Sequence, residues 1–158
     1  MNLREQQKLQ YQHDLDNHLD ILSLPRADRL KHYGLHFAKY AGRFARGEAE
    51  AKSIEETLVD AFLVSLSAAN VLNQALPAMV NSQSDCADIH FTDFSGRFAD
   101  ACEKIDHLED FRGIAVESNL KIISWIVARS SQIECDLLRL ADTRRKQLAA
   151  RLVFNVGS

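Results

Sequence analysis

Apolar residues recur at helical spacing along most of this chain, and the pattern predicts six helices and no strand. Residues 3–22 make a polar helix with a thin apolar stripe, Leu15, Leu19 and Leu22. Pro25 then offers a first-turn position, where its missing N–H costs nothing, and opens a second helix to Arg46 that Gly47 stops. Within it Gly34, Ala38, Gly42 and Ala45 form a ridge of small residues, suited to close approach by a neighbouring helix. Ser53-Ile54-Glu55-Glu56 has the form of a capping box, in which hydroxyl and carboxylate satisfy each other's backbone donors. The third helix it opens reaches Ala75, before Pro77. Over residues 58–72 apolar or small side chains fill nearly every direction, the mark of a buried central helix.

The second half repeats the theme. Residues 78–93 are mixed and polar and read as a linker, with Thr92 or Asp93 capping a fourth helix over 94–107. After a turn at 108–113, a fifth helix begins near Ala115 and carries Ile122, Ile123, Trp125, Ile126 and Val127. Ser131-Gln132-Ile133-Glu134, a second capping-box pattern, breaks it and starts a sixth helix to Leu152. The string Gly42-Arg43-Phe44-Ala45 returns as Gly96-Arg97-Phe98-Ala99, and residues 56–76 align without a gap on 117–137. The expected architecture is therefore an all-α bundle with a four-helix core made of two related helical hairpins. Residues 1–158 form a single domain: an N-terminal helix at 1–24, a first hairpin at 25–77, the linker at 78–93, and a second hairpin with the C-terminal helix at 94–153.

Composition narrows the class. At 158 residues, 46% hydrophobic and 26% charged, the chain suits one core, and six Gly with two Pro favour long helices. A net charge of −3 with no long basic run gives no electrostatic footprint for nucleic acid. The polar start Met1-Asn2-Leu3-Arg4-Glu5 is no secretory signal, and no stretch approaches the roughly 20 apolar residues of a membrane span. Cys86, Cys102 and Cys135 are odd in number and lie in no C-x-x-C arrangement, which suits free thiols in a reducing compartment. A cytoplasmic location is expected.

The candidate chemistry lies in carboxylates. Asp60 stands in the apolar central helix with Glu56 one turn before it. Glu103, Asp106 and Glu109 surround a helix end, and Glu117 stands near the next helix start. Carboxylates three or four apart share a helix face, and two such helices facing each other could hold Mg²⁺. Other roles stand beside this one. Glu55, Glu56 and Glu117 suit the helix dipole, Asp60 could pair with Arg43, Lys39 or Lys121, and the 103–110 run could be a solvated helix end. His32 and His36 have the spacing of a two-imidazole metal site, but a packing role fits them better without a third ligand. Arg144, Arg145, Lys146 and Arg151 make the last helix basic and suit its C-terminal dipole and solvent, or a phosphate if the helix folds over the site.

The strings Ile54-Glu55-Glu56-Thr57-Leu58-Val59-Asp60-Ala61-Phe62-Leu63 and Cys102-Glu103-Lys104-Ile105-Asp106-His107 resemble the two motif helices of the MazG-like all-α NTP pyrophosphatases. The resemblance covers about two-thirds of the chain. It implies acidic pairs, E-x-x-E and E-x-x-D, that hold Mg²⁺ against a nucleoside triphosphate while water attacks the α–β bond. The motifs are incomplete in either half alone. Tyr40, Arg43 and Thr57 occupy acidic positions in the first half, where only Asp60 fits, and Leu120 takes the place of an Asp in the second. A composite metal site of Asp60, Glu103, Asp106 and Glu117, with Glu56 as a further candidate, is what the resemblance leaves. Lys39 and Arg43 are then the substrate-binding candidates.

Two functions follow. One is a Mg²⁺-dependent nucleoside triphosphate pyrophosphohydrolase that releases pyrophosphate. The other is a non-catalytic helical interaction or assembly protein that keeps the fold without the metal site. A nucleotide and a second copy of the chain are the candidate partners, with no nucleic acid and no membrane.

Overall fold

A computed structural model describes residues 1–80 and 85–153, with seven helices and no strand among them. They are α1 (Leu3–Asn17), α2 (Leu19–Leu22), α3 (Arg26–Arg46), α4 (Ile54–Val71), α5 (Asp88–Asp106), α6 (Arg112–Gln132) and α7 (Leu137–Val153). The seventh arises because the first predicted helix breaks at His18, whose backbone leaves the helical region at φ −132° and ψ 41°. Helices α3, α4, α5 and α6 form the four-helix core, each packing on two of the others, while α1 and α7 lie against α4. Helix α4 is surrounded accordingly. Leu58, Phe62, Leu66, Ala68 and Ala69 are fully buried, as its near-continuous apolar sequence requires.

Helices α3 and α5 pack antiparallel through crossed phenylalanines. Phe37 meets Phe98 edge-on at 5.0 Å between ring centroids, and Phe44 meets Phe91 at 4.9 Å. The two pairs are each seven residues apart on both helices, so the repeated Gly-Arg-Phe-Ala strings place equivalent phenylalanines at opposite ends of one interface. The small-residue ridge is used at one point only. A side chain at Gly34 would meet Cys102 Sγ at 3.3 Å, whereas Ala38 and Ala45 are exposed.

Helix ends show where local pattern decides and where packing does. Ser53 and Glu56 form the predicted capping box in full, and Gly47 ends α3 at φ +52°. Helix α4 stops at Val71, short of Ala75, because Asn73 takes a positive φ and Gln74 turns its N–H back to the Ala69 carbonyl. Helix α5 begins at Asp88, so part of the expected linker is helical and Thr92 and Asp93 are interior rather than caps. The cause is tertiary. Phe91 is fully buried against Trp125, and the Trp125 indole N–H donates to the Ala87 carbonyl at 3.1 Å. The rest of that linker, 81–84, lies outside the described residues. The second S-x-x-E pattern caps nothing: Ser131 belongs to α6, and the Asp136 carboxylate instead accepts the Arg139 N–H at 3.1 Å.

Candidate functional site

Burying a carboxylate requires a compensating charge or hydrogen bonds, and Asp60 is 13% exposed on a helix of apolar neighbours. Three elements supply the compensation. Arg144 of α7 donates Nε–H to Oδ1 at 2.7 Å, Arg43 of α3 brings Nη1 to 3.7 Å from Oδ2, and Lys52, in the turn before α4, brings Nζ to 3.6 Å. Arg43 Nη1 is buried without a hydrogen-bond acceptor, because 3.7 Å allows ionic attraction but no hydrogen bond. Lys39 adds a fourth cation. Its ammonium is held below the usual lysine range by partial burial and then by Arg43, with Lys52 and Arg144 acting the same way and Asp60 opposing. Glu50, whose carboxylate accepts the Lys52 N–H and feels the Arg43 charge, offsets part of this positive charge, and of the four cations Lys39 and Arg144 are the two that line the cleft beside Asp60.

Lys39 also fixes the state of His36. An ammonium can only donate, so the 3.0 Å contact makes His36 Nδ1 an acceptor and puts the ring proton on Nε2. That nitrogen lies 3.2 Å from His32 Nε2 and donates to it, while the Tyr40 hydroxyl packs 3.2 Å from Nδ1. Burial first, and then the Lys39 charge, lower the His36 pKa to about 4, so the ring is neutral near pH 7. These groups line a cleft of about 210 Å³ together with the apolar side chains of Ile21, Leu63, Val64 and Leu148.

The structure does not bring the four candidate metal ligands together. Glu103 lies on the surface of α5 with His107 at 3.9 Å, Asp106 pairs with Lys31, and Glu117 binds Lys121 at 2.7 Å. All three carboxylates are more than half exposed. Glu56 is engaged by its capping box, accepting the Ser53 N–H at 3.0 Å. Among the described residues no three His, Cys, Asp or Glu side chains are placed to hold one metal ion. Of the substrate-binding candidates, Lys39 lines the cleft and Arg43 stands behind Asp60. Neither Lys52 nor Arg144 is legible in the sequence as a partner of Asp60, because Lys52 sits in a turn and Arg144, expected there only as solvent-facing or as a phosphate contact, is 84 residues from the carboxylate it binds.

No family model, curated protein or solved structure matches this chain. Among the described residues no helix is long and apolar enough to cross a membrane.

Proposed function

We propose that this chain is a non-catalytic helical interaction protein, a bundle of MazG-like sequence texture that acts by binding rather than by turnover. The observation that carries the reading is the environment of Asp60. This best-matched motif acid spends its charge on Arg144, Arg43 and Lys52, and the other three candidate acids are exposed and paired with His107, Lys31 and Lys121. A Mg²⁺ ion needs several oxygen ligands converging on one point at about 2.0–2.1 Å, and cations around Asp60 oppose its approach. The test is pyrophosphate release from a panel of canonical and modified nucleoside triphosphates with Mg²⁺ or Mn²⁺. Folded protein is expected to give no turnover. Turnover that disappears in both Asp60→Ala and Glu103→Ala would restore the pyrophosphohydrolase reading and its composite metal site.

A further inference from the structure

The cleft beside Asp60 combines charged and apolar side chains. Lys39 and Arg144 reach the cleft at the Asp60 end, while Ile21, Leu63, Val64 and Leu148 supply apolar surface. The cleft's other carboxylate, Asp14 of α1, is held beside Ser67, two turns along α4 from Asp60, where Ser67 Oγ donates to it at 2.6 Å and Gln10 Nε2 at 2.8 Å. Seven residues of helix separate Asp60 from Ser67, about 10 Å at 1.5 Å per residue, so Asp14 does little to neutralise the basic end. Two other clefts among the described residues are less one-sided in charge: one sets Glu55 and Glu56 against Arg144, and the second sets Glu48, Glu50 and Asp88 against Arg43, Lys52 and Arg129.

We propose that this cleft binds a small phosphate monoester with a short apolar substituent. Lys39 and Arg144 take the phosphate at the Asp60 end, and Leu63, Val64 and Leu148 take the substituent. Charge selects the ligand class. A phosphate monoester brings nearly two negative charges to Lys39 and Arg144, which share the single carboxylate of Asp60 at that end of the cleft, and charge-assisted hydrogen bonds to lysine and arginine are the strong ones. Volume selects the size, since about 210 Å³ is below the roughly 300–1,000 Å³ of sites for drug-sized ligands. The same cations disfavour a metal ion on the His32–His36 pair, although its nitrogens converge. The inference does not rest on the absence of catalysis, because binding and turnover are read by different assays.

Calorimetric titration with phenyl phosphate, inorganic phosphate and phenol tests it. Wild-type protein is expected to bind phenyl phosphate saturably, more tightly than inorganic phosphate, with affinity falling as salt rises. Lys39→Gln, at an exposed position, should weaken binding about tenfold while leaving the circular dichroism spectrum unchanged. Asp60→Asn should tighten it severalfold, because the carboxylate competes with the phosphate for the same cations. No saturable binding by folded wild-type protein would overturn the proposal. So would affinity indifferent to Lys39→Gln, or phenyl phosphate binding no tighter than inorganic phosphate.

Discussion

Arg144 and Arg145 leave α7 in different directions, into two polar regions that differ in how fully their charges and hydrogen bonds are matched. Arg145 is 8% exposed, and all three of its guanidinium nitrogens have acceptors. Its Nε–H donates to Gln10 Oε1 at 3.0 Å, Nη2 to Gln6 Oε1 at 3.0 Å, and Nη1 to Asp142 Oδ1 at 2.8 Å. That network clamps α1 to α7. Around Arg144, by contrast, one carboxylate is shared among three cations, a fourth stands nearby, and Arg43 keeps a buried nitrogen without an acceptor. A matched network has its donors and acceptors used up in holding the fold. An unmatched one beside a cleft retains capacity for a ligand, and that difference separates scaffold from site here.

The largest effect should come from breaking the matched side. Arg145→Ala leaves the oxygens of Gln6 and Gln10 buried without their donor, and should cost about 3 kcal/mol of stability in urea denaturation. Asp60→Ala removes the carboxylate that Arg43, Lys52 and Arg144 share, so the three cations repel one another at a half-buried site. The expected loss is about 2 kcal/mol, and it should shrink as salt is added, unlike that of Arg145→Ala. Equal salt dependence in the two variants would remove the distinction between the regions.

Acid probes the same cleft. The pKa of His36 is lowered from 6.5 to about 4, so between those values the unfolded chain binds the proton and the folded protein does not. The stabilisation is complete above pH 6.5 and is lost as pH falls towards 4. Allowing for solvent screening at this half-buried ring, the change amounts to about 2 kcal/mol. Burial also lowers the pKa values of His13 and His32, and adds to the loss with the same sign. Thermal unfolding followed from pH 7 to 4 should show the decline, and His36→Gln should reduce it. Smallest of all, Glu103→Gln, Asp106→Asn and Glu117→Gln should each change stability by less than about 0.5 kcal/mol, as for exposed ion pairs.

Local chemistry made much of the scaffold legible. The box at Ser53 and Glu56, the stop at Gly47 and the all-round burial of α4 each follow from a few adjacent residues. The same S-x-x-E pattern misleads at Ser131, because Ile126, Ala128 and Ser130 are still buried in α6 and carry the helix through. A capping box requires non-helical backbone at the serine itself, as at Ser53, and the pattern does not encode that. Phe91 likewise reads as part of a polar linker until Phe44 and Trp125 close around it. The site was harder still. Asp60 stood out as an acid in an apolar run, but its partners come from α3, a turn and α7, and helix packing alone brings them together. For the same reason the sequence leaves Arg144 and Arg145 between a solvent-facing basic end and a phosphate contact, and gives no sign of their partners Asp60, Gln6 and Gln10.

The contrast between the two regions depends on Asp60 being an ion-pair partner of arginine and lysine and not a metal ligand. Titration of ¹⁵N-labelled protein with Mn²⁺ would test that directly, through paramagnetic broadening of the backbone amides. That pairing predicts no saturable broadening at Asp60, with only weak, independent effects at the exposed Glu103, Asp106 and Glu117. Saturable broadening of all four together, at one Mn²⁺ concentration, would contradict it.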